Sequence, residues 1–178
     1  NGLDGFVSTI VRYTNTANVG KLVLGGGFTS FNGLSRNAIV RLNTGGSLDT
    51  TFSPGEGFNG QVRAVALQAD GKVIAVGSFT TFNSVARTNI ARLNVDGSLD
   101  TTFLPGTGPN NTVYAVAVDP VSGKIYIGGD FTSYNGAARN RIARIGTDGL
   151  LDPSFDPGTG ADAVVYAIAI QSDSNVLV

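Results

Sequence analysis

The sequence predicts an all-β fold assembled from a repeated unit, and two observations support this prediction. The segment at residues 20–33 returns at 71–84 and again at 123–136, at spacings of 51 and 52 residues. A period near fifty residues is typical of stacked supersecondary units. Gly, Asn, Asp or Pro also interrupts every apolar run before it reaches helical length, and no run has a 3.6-residue spacing. Each unit therefore consists of short strands.

The first two segments of a unit read as interior strands. In the first, strict alternation places Val62, Ala64 and Ala66 on one face of the strand. Val65 and Leu67 fall on the other face, so both faces are apolar. The second segment is apolar on both faces too, and it ends at glycines that permit a bulge or a close backbone approach.

The last two segments read as outer strands. The third places Ile90 and Arg92 on one face and Ala91 and Leu93 on the other. The fourth segment lies at residues 99–103. In the last copy, Pro153 stands at the position of Thr101, and proline lacks the N–H that a central strand needs. We expect this fourth segment to form the edge strand.

Hydrophobicity thus falls from the first segment to the fourth, as expected of a blade that runs from the axis of a β-propeller to its rim. The predicted fold class is a β-propeller of four-stranded blades of about 51 residues. The chain holds about three and a half such blades, that is, a partial ring.

Residues 1–178 form a single repeat array, with units starting near residues 7, 62, 113 and 165 and the last one incomplete. The first unit carries an apparent insertion at residues 14–18. Closed propellers generally have four to eight blades. We therefore expect the chain to be part of a longer protein, or to be completed by further blades or by other subunits, as in a homo-oligomer.

Three motifs carry a family resemblance. They are Gly-Lys, four apolar residues and Gly-Gly-x-Phe-Thr; Asn-x-Ile-Ala-Arg-Leu; and Asp-Gly-Ser-Leu-Asp-x-x-Phe-x-Pro-Gly-x-Gly. This pattern resembles the bacterial delta-60 repeat over nearly the whole chain, which implies a β-propeller but no reaction, cofactor or catalytic residue. Parts of it are also similar to repeats of fungal cortical polarity-marker proteins. The first copy departs from the pattern with Gly45 where Asp96 and Asp148 stand in the others.

Composition narrows the function classes. The formal charge is −1 and nine of the twelve cations are arginines spread along the units, so we expect no nucleic acid partner. No apolar stretch approaches the roughly twenty residues of a membrane helix, so we expect no membrane span. The lack of His and Cys excludes His-dependent triads, thiol nucleophiles and ordinary zinc sites. Abundant Gly, Thr and Asn with three Lys and one Glu favour an exported, bacterial-type protein, extracellular or at the cell surface.

Two charged positions, one Asp and one Arg, recur in each of the three complete units, and we interpret the six residues as scaffold. The recurring aspartates stand beside turns, where a carboxylate accepts backbone N–H bonds. The recurring arginines are expected to lie over apolar surface and to pair with these aspartates. A ring of binding carboxylates is the functional alternative. The six residues are Asp49, Asp100, Asp152, Arg41, Arg92 and Arg144.

No cofactor is predicted. The segment at residues 96–100 has a weak likeness to a calcium loop, although it lacks the alternating oxygen ligands and the distal Glu of an EF-hand. Calcium therefore stays open as an alternative. A unique activity should use residues that break the repeat, and the candidates of that kind are Glu56, Asp130 and Asp162.

The leading hypothesis for function is a non-enzymatic, exported structural or interaction module. It would bind protein or glycan through loops, or assemble with other subunits. The alternative is a carbohydrate-active propeller, either a lectin or a carboxylate-dependent hydrolase with part of its site outside this chain. Phe31, Phe82 and Tyr134 recur beside Asn, as a lectin allows, although core packing also explains them.

Overall fold

The computed structural model describes residues 2–14 and 17–178 of the chain, and within these residues every regular element is a β-strand. The first unit contains a three-stranded antiparallel sheet and, inserted between its second and third strands, a two-stranded hairpin. The sheet strands are β1 (Val7–Arg12), β2 (Leu22–Gly26) and β5 (Ile39–Leu42), and the hairpin strands are β3 (Ser30–Phe31) and β4 (Leu34–Ser35).

The next two units repeat this plan. The second consists of β6 (Gln61–Leu67), β7 (Val73–Ser78), β8 (Thr81–Phe82), β9 (Val85–Ala86) and β10 (Ile90–Leu93). The third consists of β11 (Val113–Val118), β12 (Ile125–Gly129), β13 (Ser133–Tyr134), β14 (Ala137–Ala138) and β15 (Ile142–Ile145). Each sheet places its second strand in the middle, so β6, β7 and β10 lie side by side in that order. The first strands of neighbouring sheets also contact one another.

The fourth unit contains two short strands, β16 (Ala169–Ile170) and β17 (Val176–Leu177). They pair in antiparallel fashion, with Ala169 opposite Leu177. The paired strand begins at Ala169, so it is shorter than the apolar run that starts at residue 165 in the sequence. No helix in the described part of the chain is long and apolar enough to cross a membrane.

A β-bulge lies at the same position of all three first strands. In the second unit, Val62 pairs with Gly77 and Ala64 pairs with Val76, so Arg63 is the extra residue. Gly77 tolerates this approach because it has no side chain: a Cβ there would lie 2.0 Å from the carbonyl oxygen of Gln61. The prediction that these glycines permit a bulge or a close backbone approach is confirmed.

Because of the bulge, the predicted assignment of residues to the two faces of the first strand is wrong. Strict alternation groups Val62 with Ala64, whereas the structure packs Val62 with Val65 and Leu67 in one hydrophobic cluster and Ala64 in another. The reason is that one extra residue in the strand moves the side chains on one side of the bulge to the opposite face from the one that strict alternation predicts. Beyond the bulge, the alternation holds.

Two hydrophobic clusters join the three sheets. Val73 and Ala75 of β7 pack toward the first unit, and the alternate residues Ile74 and Val76 pack toward the third. The middle sheet is therefore buried on both faces, as radial stacking of blades requires. The chain has the all-β propeller architecture that its repeat predicts.

The fourth segment is not a full edge strand, contrary to prediction. It pairs with the third strand of its sheet through single bridges such as Leu93 to Leu99. Immediately afterwards, Asp100 accepts hydrogen bonds from the backbone N and the Oγ1 of Thr102, and these bonds turn the chain. The segment lies at the edge of the sheet, but its aspartate ends the pairing.

Candidate functional site

Each of the first three units contains a cluster of one lysine, one arginine and one aspartate, which we call the ionic cluster. In the second unit, Asp100 Oδ2 accepts hydrogen bonds from Lys72 Nζ at 2.8 Å and from Arg92 Nε at 2.7 Å. Its Oδ1 accepts the two bonds from Thr102 at 2.9 and 2.7 Å. Both carboxylate oxygens are thus occupied, and Asp100 is buried.

The same cluster recurs in the first and third units. Asp49 binds Lys21 and Arg41, and Asp152 binds Lys124 and Arg144, all at 2.6 to 2.8 Å. Burial alone would raise the pKa of Asp49. The hydrogen bonds from Lys21, Thr51 and Arg41 outweigh it and hold the pKa of that carboxyl well below its usual range. The cluster stabilises the charged form of each aspartate.

The arginines of the first two clusters also connect one unit to the next. Arg41 Nη1 donates to the carbonyl oxygen of Val95 at 2.6 Å. Arg92 Nη1 donates in the same way to Thr147 of the third unit. In the third unit, Arg144 Nη1 instead donates to the hydroxyl of Tyr126 in its own unit, at 3.2 Å. The recurring charges therefore hold the array together.

The three residues that were selected as exceptions to the repeat lie apart in the chain. Glu56 is exposed and makes no hydrogen bond or ion pair with any described residue. Asp130 follows β12, and its Oδ2 accepts a bond from Asn111 Nδ2 at 3.1 Å. Of the segment 14–18, residues 15 and 16 lie outside the described part.

When the units are aligned, Asp162 does not break the repeat. It stands at the position of Asn110, 52 residues further on. Asn110 Oδ1 accepts bonds from the backbone N of Thr132 and of Ser133, at 2.8 and 3.0 Å, and so fixes the start of the hairpin. Asp4 and Asn59 make the equivalent bonds in their units. Position 162 therefore belongs to the scaffold pattern.

The recurring aromatic residues that allowed a lectin are core residues. Phe31, Phe82 and Tyr134 are buried, and the Tyr134 hydroxyl donates to the carbonyl oxygen of Gly149 at 2.6 Å. They offer no surface to a glycan. Within residues 2–14 and 17–178, no group of three acidic side chains is arranged to hold a metal ion.

The structure adds a set of residues that the sequence analysis did not single out. The residue at the bulge is Ser8 in the first unit, Arg63 in the second and Tyr114 in the third, and Tyr166 stands at this register in the fourth. We call these four positions the bulge row. The sequence contains a signal for this position: it is Ser, Arg, Tyr and Tyr in the four units, whereas the residue before it is always Val and the residue after it is Thr or Ala.

Three members of the bulge row, Arg63, Tyr114 and Tyr166, stack on one another across the unit boundaries. The Arg63 guanidinium carbon lies 5.7 Å from the centre of the Tyr114 ring. The Tyr114 and Tyr166 rings are 5.1 Å apart, at an interplanar angle of 53°. Tyr166 is 70% exposed. Arg63, Tyr114 and Tyr166 therefore form a stack of one cation and two aromatic rings that crosses two unit boundaries.

A polar pair lies at the same strand end. Asp130 N donates to the carbonyl oxygen of Thr112, two residues before Tyr114. Val165 N donates to Gly129, which connects the residue before Tyr166 to the residue before Asp130. The Asn111–Asp130 pair thus lies at the strand end where β11 begins and β12 ends.

Two concave regions lie elsewhere on the chain. A cleft of about 330 Å³ between the first two units is lined by Phe28, Phe58 and neighbouring backbone. Another of about 380 Å³ lies at the opposite strand ends, where Arg12, Asp70 and Asp119 contribute charged groups. Asp119 accepts bonds from Val121 N and Ser122 Oγ, so its carboxylate mainly fixes its own turn.

A comparison with protein families identifies the repeat. The family model described as a domain of unknown function (DUF5122) beta-propeller matches residues 20–52, 68–103 and 122–155. These three matches cover more than half of the chain. The chain belongs to this family. The comparison with curated proteins found no match.

The family pattern and the bulge row occupy different parts of this DUF5122 propeller. Every lysine, arginine and aspartate of the ionic clusters lies within a matched segment. All four positions of the bulge row lie outside the matched segments, as do Asn111, Glu56 and Asp162. The shared pattern therefore includes the ionic clusters of the scaffold, and the bulge row lies outside it.

Proposed function

We propose that this propeller is a non-catalytic interaction module that binds a macromolecular partner, protein or glycan, through the bulge row. The observation that carries the proposal is the stack of Arg63, Tyr114 and Tyr166. These residues lie outside the family pattern, and their side chains stack across two unit boundaries, with Arg63 and Tyr114 half-buried and Tyr166 exposed. Tyr and Arg are enriched among the residues that dominate binding energy at interfaces.

The state of the carboxylates supports binding rather than catalysis. A general base must be able to accept a proton from the substrate. The aspartates of the ionic clusters are held as anions, with both oxygens already bonded to Lys, Arg and Thr or Ser. They stabilise the array instead. Glu56 makes no bond to a described residue that would position it for proton transfer.

We further propose that the module works outside the cytoplasm. The support is compositional, since the chain combines many Gly, Thr and Asn residues with only three Lys and one Glu. Fractionation of the native host with an antibody against the chain tests this. Recovery in the cytoplasmic fraction alone would contradict it.

The binding function can be tested by selection on two libraries. The wild-type chain and a triple variant (R63A, Y114A, Y166A) are presented to a phage-displayed peptide library and to an oligosaccharide array. We expect the wild type to select ligands that the triple variant binds at least tenfold more weakly. V121A is the matched control, because Val121 is 90% exposed and lies outside the row.

Circular dichroism and thermal unfolding must first show that the triple variant is folded. Equal binding by the triple variant, or the selection of no ligand by the wild type, would contradict the proposal. A saturable turnover of an ester, peptide or glycan substrate that Glu56→Gln or Asp130→Asn abolishes would contradict the non-catalytic part.

A further inference from the structure

We infer that the cleft between the first two units binds an arginine side chain of a partner polypeptide. The cleft, which we call the Ala38 cleft, is lined by residues that include Phe28, Ala38 and Phe58. It lies between two units that each contain a full set of five strands, and it shares no residue with the bulge row, so the inference goes beyond the proposed function. Its volume of about 330 Å³ is near the lower limit of small-ligand pockets and suits a single side chain.

Ala38 has the same backbone conformation as its equivalents in the next two units, Asn89 and Arg141. The three φ values are +62°, +60° and +65°. In all three units, the backbone N of this residue donates to the carbonyl oxygen of the phenylalanine ten residues earlier, at 2.8 to 2.9 Å. The three side chains therefore leave the backbone in the same direction.

In the second and third units, this side chain reaches the following unit. Asn89 Nδ2 donates to the carbonyl oxygen of Pro109 at 3.1 Å, and Arg141 Nη1 donates to that of Ala161 at 2.9 Å. Each acceptor stands 20 residues after the donor, so the equivalent acceptor for Ala38 is the carbonyl oxygen of Phe58. Because alanine has no donor, this oxygen accepts no hydrogen bond from any residue that the structure describes.

The unpaired carbonyl and the alanine are both unfavourable at these positions. Phe58 is 3% exposed, and a buried acceptor without a partner is rare in folded proteins. A positive φ also strains alanine, whereas asparagine tolerates this conformation well. Backbone strain and unpaired polar groups of this kind are typical of functional sites. A donor from another molecule would pair with the Phe58 carbonyl oxygen as Asn89 pairs with that of Pro109.

An arginine side chain matches the Ala38 cleft. Its guanidinium group is the donor that Arg141 already supplies at the equivalent place. Its apolar stem and planar cation pack well on aromatic rings, and Phe28 and Phe58 line the cleft. Arg41 packs in this way on Phe52 within the chain, with 4.9 Å between the guanidinium carbon and the ring centre.

The polar groups of the cleft favour a cation with several donors. Asp4 Oδ1 accepts a hydrogen bond from the N of Thr29 at 2.7 Å, and Thr29 lines the cleft, so a carboxylate stands beside it. Gln61 is another lining residue, and its enclosed Oε1 has no hydrogen-bond partner among the described residues. An anion would meet acceptors only. A lysine ammonium is more strongly hydrated than a guanidinium and lacks its planar fork.

The test is an NMR titration of the isotope-labelled chain with the pentapeptide acetyl-Gly-Gly-Arg-Gly-Gly-amide. We expect saturable shifts at the N–H of Asn59, which follows the Phe58 carbonyl. The lysine peptide and methylguanidinium, which lacks the apolar stem, should each bind at least about fivefold more weakly. Ala38→Asn should weaken the arginine peptide at least about tenfold, because the new side chain occupies the cleft as Asn89 does. It should also raise the Tm by about 2–4 °C. Val121→Ala is the control and should change neither value.

Each outcome decides the inference separately from the proposed function. If the peptide binds Ala38→Asn as well as wild type, the site is wrong. Equal binding of the lysine peptide would refute the guanidinium, and equal binding of methylguanidinium would refute the polypeptide partner. If Ala38→Asn raises the Tm while wild type binds no peptide, the cleft holds only water and the inference fails. The double variant Y114A, Y166A should bind the arginine peptide as wild type does, so failure of the bulge row leaves this test intact.

Discussion

Arg41 of the first unit binds Asp49 through Nε at 2.7 Å and the carbonyl oxygen of Val95, in the second unit, through Nη1 at 2.6 Å. One buried guanidinium therefore belongs both to the ion pair inside a unit and to the joint between two units. Arg92 repeats the relationship with Asp100 and Thr147. The stability of a unit and its attachment to the next are thus coupled.

The carboxylate of Asp100 should be a major stabilising group of the second unit. Asp100→Ala leaves Lys72 and Arg92 without their partner, and we expect a loss of about 3 kcal/mol in the free energy of unfolding. Urea denaturation followed by tyrosine fluorescence measures this. Asp70→Ala is the control, because exposed Asp70 accepts a single hydrogen bond from the described residues, from Lys72 N, and its loss should cost less than about 1 kcal/mol. Equal losses would contradict the role of the cluster.

The chain should lose stability in acid. Burial raises the pKa of Asp100, but hydrogen bonds from Lys72, Thr102 and Arg92 outweigh it, so its pKa in the folded state is well below the usual value. A carboxyl of this kind stabilises the fold above its unfolded pKa, about 4, and the contribution declines as the pH falls toward the folded pKa.

Because the chain has no histidine, the free energy of unfolding should be nearly constant from about pH 7 to pH 5 and decrease below about pH 4. Urea titrations at several pH values measure this profile. Asp100→Asn should make the acid decrease shallower. A profile of the variant that is parallel to the wild-type profile would refute the assignment.

The contribution of the arginine contact between units to stability can be measured by replacing arginine with lysine. Arg92→Lys keeps the positive charge but loses the planar fork that reaches Asp100 and Thr147 together. We expect a loss of about 1–3 kcal/mol. Arg144→Lys is the matched control: Arg144 pairs with Asp152 but donates Nη1 within its own unit, so its loss should be smaller. A loss for Arg144→Lys as large as that for Arg92→Lys would argue against the joint.

Two equivalent glycines distinguish backbone strain from packing between units. Gly46 and Gly97 have φ values of +82° and +89°. A Cβ at Gly46 meets open space, whereas a Cβ at Gly97 lies 3.0 Å from the backbone N of Ser53. Gly46→Ala should cost about 1 kcal/mol through its backbone conformation. Gly97→Ala should cost at least about 1 kcal/mol more, because the second unit must move away from the first. Thermal unfolding of the two variants would show equal losses if the units did not pack here.

Much of the fold follows from local pattern. The repeat sets the number of sheets, and the apolar runs locate strands such as β7 and β10 because their alternation matches two buried faces. The prediction of a full fourth strand is wrong because strand propensity does not show that Asp100 binds Thr102 and turns the chain. The inserted hairpin, such as β8 with β9, is only four residues of strand, too short for periodicity to reveal.

The candidate site was less accessible to sequence reasoning. The pairing of Arg92 with Asp100 follows from two charges that recur together, but the participation of Lys72 depends on how the strands lie side by side. The stack of Arg63 on Tyr114 depends on the bulge, since a regular strand would turn these side chains to the opposite face. The alternation of side chains along a sequence does not reveal a register shift of one residue.

The bulge also has a consequence for engineering. An extra residue that stands outside the ladder of paired residues can be exchanged with little effect on the sheet, as Ser8, Arg63 and Tyr114 in otherwise equivalent strands illustrate. Each repeat thus offers one randomisable site on a common frame, and a library at these positions could generate new binding specificities without redesign of the scaffold.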